Sequence, residues 1–299
     1  MLRRVLLDPF EAPFMARALV EVLLLGLVGG VVGVHVLLRR LAFLSEALQH
    51  TVFPGIAIAF VTGQSLLVGA LVAAVATIVL LGLLARRPRV DPDAALAVLI
   101  AGAFALGVVL VSHRRGFQRD LTSLLFGRIL AVDTRQLIET AIVTVVCVTV
   151  VAALHKELVL LAFDPGGAAS LGYRTGWLDL ALNLVVALVV VAAVRALGTV
   201  LVVAFLVTPA AAARLVCRGV TSMMAVAVVL ALVCGWVGLS LSYEASVHHG
   251  VRLASGATVV LTLTAGFVLL GAAAAARSAL ARPRVAGRRS VRGTRTVNR

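Results

Sequence analysis

The stretch Ser45–Gly55 holds the residue types that best suit metal chemistry. Glu46 and His50 are four residues apart, so a helix would place them on one face with Cβ atoms about 6 Å apart. A carboxylate and an imidazole on one face can both ligate a divalent transition metal. The same spacing is also typical of a buried Glu–His hydrogen-bonded pair near a helix end, and the local sequence leaves both interpretations open.

Two prolines interrupt apolar segments and are candidate gates. Pro54 lacks an N–H, so a carbonyl one turn earlier is free to line a cavity beside His50. Pro209 lies in a second apolar segment. Paired broken helices in two halves of a chain are typical of an inverted repeat around a pathway. If two copies met about the Glu46 face, they would supply a ring of four ligands.

The other histidines are weaker candidates. His35 follows several glycines in an apolar segment, which favours a role in packing or capping. His113 and the pair His248 and His249 fall in expected loops. The pair follows Glu244 and would be able to gather metal at an entrance, although loop histidines are more often simply solvated.

A polar interruption runs from His155 to Trp177. Within it Asp164 is a suitable N-cap for a short helix that has Pro165 at its first position and Gly172 at its end. Such a helix would dock a soluble partner or would simply cover the bundle, and the residues alone favour neither.

Composition assigns the chain to the membrane. Of its 299 residues 62% are hydrophobic and 13% charged, and its mean hydropathy is +1.11. The net charge of +14 comes from short gaps between apolar runs and from the C-terminal end, which is typical of membrane proteins and not of a nucleic-acid binder. The three cysteines are interpreted as small hydrophobic residues.

An all-α, polytopic transmembrane bundle of about eight or nine spanning helices is therefore predicted. Nine candidate spans lie near 15–38, 44–62, 65–85, 94–112, 136–154, 178–194, 197–213, 222–242 and 256–276. The expected domains are an interfacial segment at 1–14, a transmembrane domain at 15–276 and a disordered cytoplasmic tail at 277–299. The distribution of basic gaps predicts an outside N-terminus and a cytoplasmic C-terminus.

Enzymatic motifs are missing from the sequence. It contains no GxxxxGK[ST], HExxH or GxSxG pattern. An intramembrane enzyme is further disfavoured because the predicted spans show no second in-membrane carboxylate besides Glu46 and no nucleophile pair.

Four motifs occur in one order along the chain and together carry a family resemblance. They are Leu38–Ala57 with its Glu46, His50 and Pro54-Gly55, then Leu125–Leu130, then Lys156–Gly172, and finally Leu197–Val202 with Pro209–Ala213. In this order they resemble the permeases of ABC importers that move zinc, manganese or iron. The resemblance covers residues 15–276. The family usually has Asp where this chain has Glu46 and Ser where it has Gln49.

The resemblance implies a type II ABC importer-like permease in the plasma (inner) membrane. It implies a homodimer among membrane lipids, a separate cytosolic ABC ATPase and an extracellular solute-binding protein, with no nucleic acid. The residues implied to couple the permease to the ATPase are Phe163, Asp164, Pro165, Ala169 and Gly172. The metal is implied to be cargo at Glu46 and His50, with no permanently bound cofactor.

The resemblance further implies alternating access driven by the ATPase. Two rival functions remain open at this stage. One is a permease of the same architecture for a metal chelate or another small solute. The other is a secondary metal carrier that uses no ATPase.

Overall fold

A computed structural model describes residues 8–84, 91–112, 129–248 and 254–281, without the side chains of 92, 111, 199–201, 248 and 278–281. The described part is helical throughout and contains no strand. Several sequence predictions fall outside it. They concern His113, most of Leu125–Leu130, His249 and the tail beyond residue 281, and the side chain of His248 is also outside it.

Twelve α-helices follow one another in the described residues. They are α1 Pro13–Leu38, α2 Ala42–Thr51, α3 Phe53–Thr62, α4 Leu66–Leu84, α5 Pro92–Ser112, α6 Thr134–Ala153, α7 His155–Phe163, α8 Pro165–Ser170, α9 Thr175–Leu197, α10 Thr199–Val216, α11 Val220–His248 and α12 Ser255–Ala281. Single 3-10 turns lie at Asp8–Glu11 and Ile129–Ala131.

The transmembrane bundle predicted from hydropathy is confirmed. Within the described residues eight helical segments are long and apolar enough to cross a membrane, with α2 and α3 counted as one span, Ala42–Thr62. The remaining predicted span, 197–213, corresponds to α10, whose described apolar stretch Val202–Val216 is shorter than the others. The predicted boundaries differ from the helix ends by a few residues, because hydropathy does not detect caps and turns.

Helix α1 is the centre of the bundle. It packs against α6, α9, α10 and α11, whereas α12 is mostly exposed along its length. The approach of α1 to α11 requires glycine, because a Cβ built at Gly30 would lie 2.7 Å from the Cα of Val228. Close backbone approach between small residues is a main source of helix association in lipid, where the hydrophobic effect between helices is absent.

The second span is broken, as its proline predicted. Helix α2 ends at Thr51, and α3 begins at Phe53 with Pro54 in its first turn. The second half of the span, α3, lies close against α4, because Gly55 of α3 and Gly69 of α4 face each other and have no side chains. Both halves also pack on α5, and the first half, α2, in addition contacts α9 and α10.

The break expected at Pro209 is absent. Helix α10 continues from Thr199 to Val216 with Pro209 inside it. The irregular backbone of this region lies instead at Gly198, the residue that joins α9 to α10, where φ is 80° and ψ is 164°. That conformation is open almost only to glycine. The irregular point of this region is therefore set by a glycine that the hydropathy pattern did not distinguish.

Candidate functional site

Glu46 and His50 lie next to each other on α2. The His50 Nε2 is 3.5 Å from the Glu46 Oε1, which is longer than the 2.7–3.2 Å of an ordinary hydrogen bond. The side chain of Glu46 is 46% exposed, and that of His50 is 33% exposed. The two side chains are therefore neither fully buried nor joined by an ordinary hydrogen bond.

The amphipathic pattern of α2 aims the pair away from the protein core. Leu44, Ala47 and Leu48 are buried against the bundle, so Glu46 and His50 occupy the opposite, more open side. The His50 ring meets the ring of Phe104 on α5 edge to face, with centroids 6.2 Å apart. This aromatic contact limits the orientations that the imidazole can adopt.

One copy of the chain supplies too few ligands for a closed metal site here. The described residues contain no group of three or more His, Cys, Asp or Glu side chains that could hold a metal ion. Transition metals in proteins commonly take four ligands. A metal at Glu46 and His50 would therefore take its further ligands from water, from backbone carbonyls or from a second copy of the chain.

Gln49 lies on the buried side of α2. Its side chain is 2% exposed, and its Nε2 donates to the Ser45 carbonyl at 3.3 Å. Gln49 therefore faces the protein interior, whereas Glu46 and His50 do not. Gln49 therefore contributes to the packing of α2 and adds no ligand to the open face.

The short helix predicted after Asp164 is present. The Asp164 carboxylate accepts from the Gly167 N–H at 2.8 Å, Pro165 is the first residue of α8, and Gly172 ends the segment with φ of 85°. Ala169 on α8 is exposed. Phe163 before the helix and Leu171 after it are 68% and 70% exposed. Two large apolar side chains flanking one capped turn form a small surface suited to a partner.

Sequence reasoning missed several buried charges. Glu21 on α1 is fully buried and accepts from the Thr140 hydroxyl at 2.8 Å. Glu139 on α6 binds the Arg195 guanidinium of α9 at 2.5 Å. The premise that Glu46 has no second carboxylate inside the membrane was therefore wrong. Both acids were visible as isolated charges within the predicted spans 15–38 and 136–154.

A further ion pair joins helices near the end of α1. The Arg39 guanidinium binds the Asp179 carboxylate of α9 and donates to the Leu161 carbonyl of α7 at 3.0 Å. Arg39 appeared in the sequence only as one of two basic residues that mark a membrane boundary. The structure shows that it also connects α1, α7 and α9.

The eight long apolar helical segments among the described residues define a multi-pass membrane protein. The family model described as the ABC 3 transport family matches residues 11–274. The chain belongs to this family, so the resemblance found in the sequence is confirmed. The class is that of transporter permease subunits.

Individual relatives agree with this assignment. The Manganese transport system membrane protein MntC of Listeria monocytogenes is 33% identical over 256 residues, covering 86% of this chain and 89% of that protein. The Chelated iron transport system membrane protein YfeD of Yersinia pestis is 32% identical over 244 residues and 82% of each chain. The solved structure of PsaBC from Streptococcus pneumoniae in complex with Fab matches with a TM-score of 0.80 at 27% identity, covering 90% of this chain and 95% of that one.

Proposed function

We propose that this chain imports a divalent transition metal and that Glu46 and His50 form its transit site. The observation that carries the proposal is the exposed pair itself, two metal-ligating side chains 3.5 Å apart on the open face of a broken span. Relatives named for manganese and for chelated iron support a metal as cargo. Oxygen and nitrogen ligands together suit manganese, iron or zinc.

The site is completed by a second copy of the chain. Two copies facing each other across α2 supply two carboxylates and two imidazoles, the number of ligands that a closed site needs and that one copy lacks. The metal stays loosely held, because a transit site must also release its ion. Pro54, at the α2–α3 break, and Pro209, inside α10, remain the proposed gates of this pathway.

The short helix α8 is the proposed contact with a separate cytosolic ATPase. The N-cap by Asp164 and the first-turn Pro165 make this turn a defined element, and Phe163 and Leu171 give it an apolar contact surface. In the proposed topology the N-terminus is outside, so α7 and α8 are cytoplasmic. A solute-binding protein delivers metal to the opposite face.

ATP-driven uptake tests the site. Proteoliposomes holding this chain, its ATPase and its binding protein are given radioactive manganese, zinc or iron. Glu46→Gln keeps the size of the side chain but removes the charge, and we expect uptake to fall at least about tenfold, because even losing an outer-shell partner of a metal ligand costs about 10- to 100-fold. The control is Glu11→Gln, at an exposed residue before α1.

The outcomes separate the rival functions. Undiminished uptake in Glu46→Gln would contradict the site. Uptake of a metal chelate, with none of the free ions, would assign the same architecture to the first rival. Uptake that persists without the ATPase would identify a secondary carrier.

Co-purification tests the coupling surface. Phe163→Ala removes an exposed ring beside α8, and we expect the amount of ATPase retained on the purified permease to drop several-fold. Leu269→Ala on α12 is the matched control, because Leu269 is 69% exposed against 68% for Phe163 but lies on a spanning helix. Equal ATPase recovery with both variants would show that α8 is not the contact.

A further inference from the structure

Unsatisfied polar atoms are concentrated where the end of α1 meets α7. Among the described residues seven buried side-chain nitrogen or oxygen atoms lack a hydrogen-bond partner, and five of them belong to these two segments. They are both ring nitrogens of His35, the Nε of Arg39, the Nδ1 of His155 and the Oε2 of Glu157. A buried polar atom without a partner costs about 1–3 kcal/mol, so such a cluster requires an explanation.

Two imidazoles dominate this corner. The rings of His35 and His155 have centroids 5.9 Å apart and planes at 83°. His35 is fully buried, whereas His155 is partly exposed. The three unpartnered ring nitrogens, both of His35 and the Nδ1 of His155, are buried, and other atoms of His155 reach the surface.

The separation of the rings fits one shared metal ion. A metal–nitrogen bond of about 2.1 Å places each ring centroid about 3 Å from the ion. At a tetrahedral angle two imidazoles on one ion have centroids about 5 Å apart, so the observed rings, at 5.9 Å, need to close by about 1 Å to share an ion. Direct hydrogen bonding between the rings does not explain the pair, because both His35 nitrogens lack a partner.

We propose that His35 and His155 form a second metal site, separate from Glu46 and His50. Two neutral imidazoles select a borderline divalent ion such as zinc over manganese, because manganese prefers oxygen ligands. Water or backbone carbonyls fill the remaining positions. The site needs no second copy of the chain and does not depend on the proposed transport function.

The surrounding charge permits a cation. Arg39 lies one turn beyond His35, but its guanidinium is paired with the Asp179 carboxylate. Glu157 follows His155 by two residues and has a buried, unpartnered carboxylate oxygen. Lys156 is exposed. The charge of the ion is therefore not opposed by an unpaired buried cation.

A metal at this position would join α1 to α7. Helix α7 runs directly into Asp164, the cap of α8. The bound ion would therefore fix the helix that carries the proposed coupling surface. It would also raise thermal stability, since a ligand that binds only the folded state stabilises by RT ln(1 + [L]/Kd).

Zinc and cobalt binding to the purified full-length chain tests the site. The background carries Glu46→Gln and His50→Gln, so that the proposed transit site contributes no binding. We expect this background to retain about one zinc per chain, to raise its melting temperature with zinc, and to show the visible absorption of nitrogen-ligated cobalt. Adding His35→Gln should weaken zinc binding at least about tenfold. Adding His113→Gln, a histidine elsewhere in the chain, should leave it unchanged.

His155→Gln is the second test variant, because His155 is partly exposed and its replacement disturbs packing less than that of His35. Circular dichroism and size-exclusion profiles confirm that each variant is folded. Absence of zinc binding in the background would overturn the proposal and leave water as the occupant. Zinc binding as strong as that of the background in the folded His35→Gln and His155→Gln variants would also overturn it. Neither result bears on uptake through Glu46 and His50, which the transport assay measures separately.

Discussion

The pair Glu139–Arg195 and the pair Glu46–His50 use similar charges in opposite ways. Glu139 and Arg195 join α6 to α9 at 2.5 Å, with side chains 19% and 21% exposed. Glu46 and His50 lie on one helix at 3.5 Å, with side chains 46% and 33% exposed. Ionisable groups inside a membrane are costly. The first pair meets that cost within one copy of the chain, and the second is left open to an ion or to another copy.

A third pair lies between these extremes. Arg39 and Asp179 join α1 to α9, with side chains 20% and 44% exposed. We expect the loss of stability on breaking an ion pair to be largest when Glu139 is replaced, smaller for Asp179 and smallest for Glu46. The loss of metal transport should not follow this order, because we expect it to be largest at the Glu46–His50 pair.

Glu139→Gln is expected to have the largest effect on stability. It leaves the Arg195 guanidinium without its ion-pair partner in a position that is one-fifth exposed. Breaking a buried pair costs about 3–5 kcal/mol, and partial exposure reduces this to about 2 kcal/mol. We expect a lower melting temperature in detergent and a lower yield of folded protein.

Arg135→Gln is the control for this variant. Arg135, one turn before Glu139 on α6, also binds the Glu139 carboxylate, with a distance of 3.1 Å between Nε and Oε1. Its side chain, however, is 78% exposed. Pairs of this kind contribute only about 0.3–0.5 kcal/mol. Equal losses of stability in Glu139→Gln and Arg135→Gln would mean that the ion pair between α6 and α9 contributes no more to stability than the exposed pair within α6.

Asp179→Asn is expected to have a smaller effect, about 1 kcal/mol, because Asp179 is 44% exposed and water screens its charge. Arg39 keeps its hydrogen bond to the Leu161 carbonyl in this variant. Heat-induced loss of the monodisperse peak measures the change, with the exposed Asp93→Asn as control. A loss larger than that of Glu139→Gln would reverse the proposed order.

The sequence predicted well those features that depend on local pattern. Hydropathy located the spans, Pro54 located the break in the second one, and Asp164 with Pro165 located α8. Each of these depends on neighbouring residues alone. The spacing of Glu46 and His50 likewise predicted one shared helix face, because both residues lie on one uninterrupted helix.

Features that depend on contacts between distant segments were not predictable in this way. The partners Glu139 and Arg195 are 56 residues apart, and Arg39 and Asp179 are 140 apart, so no local pattern relates them. His35 was interpreted as a packing residue because its neighbour in space, His155, belongs to another segment. A search for every charge within an apolar run would have identified Glu21 and Glu139, but not their partners.

Glu46→Gln is expected to have the smallest effect on stability, close to zero. Glu46 is nearly half exposed, and its one ion-pair partner among the described residues, His50, is one turn away on the same helix, so the uncharged side chain loses little in a single copy. Its melting temperature should match that of the unmodified chain, while its metal uptake falls at least about tenfold as argued above. A melting temperature as low as that of Glu139→Gln would assign Glu46 to structure, because a residue that only receives cargo has no reason to support the fold. Unchanged stability with lost uptake would separate the two kinds of pair by measurement, since the same chemical change would then affect the fold at one position and transport at the other.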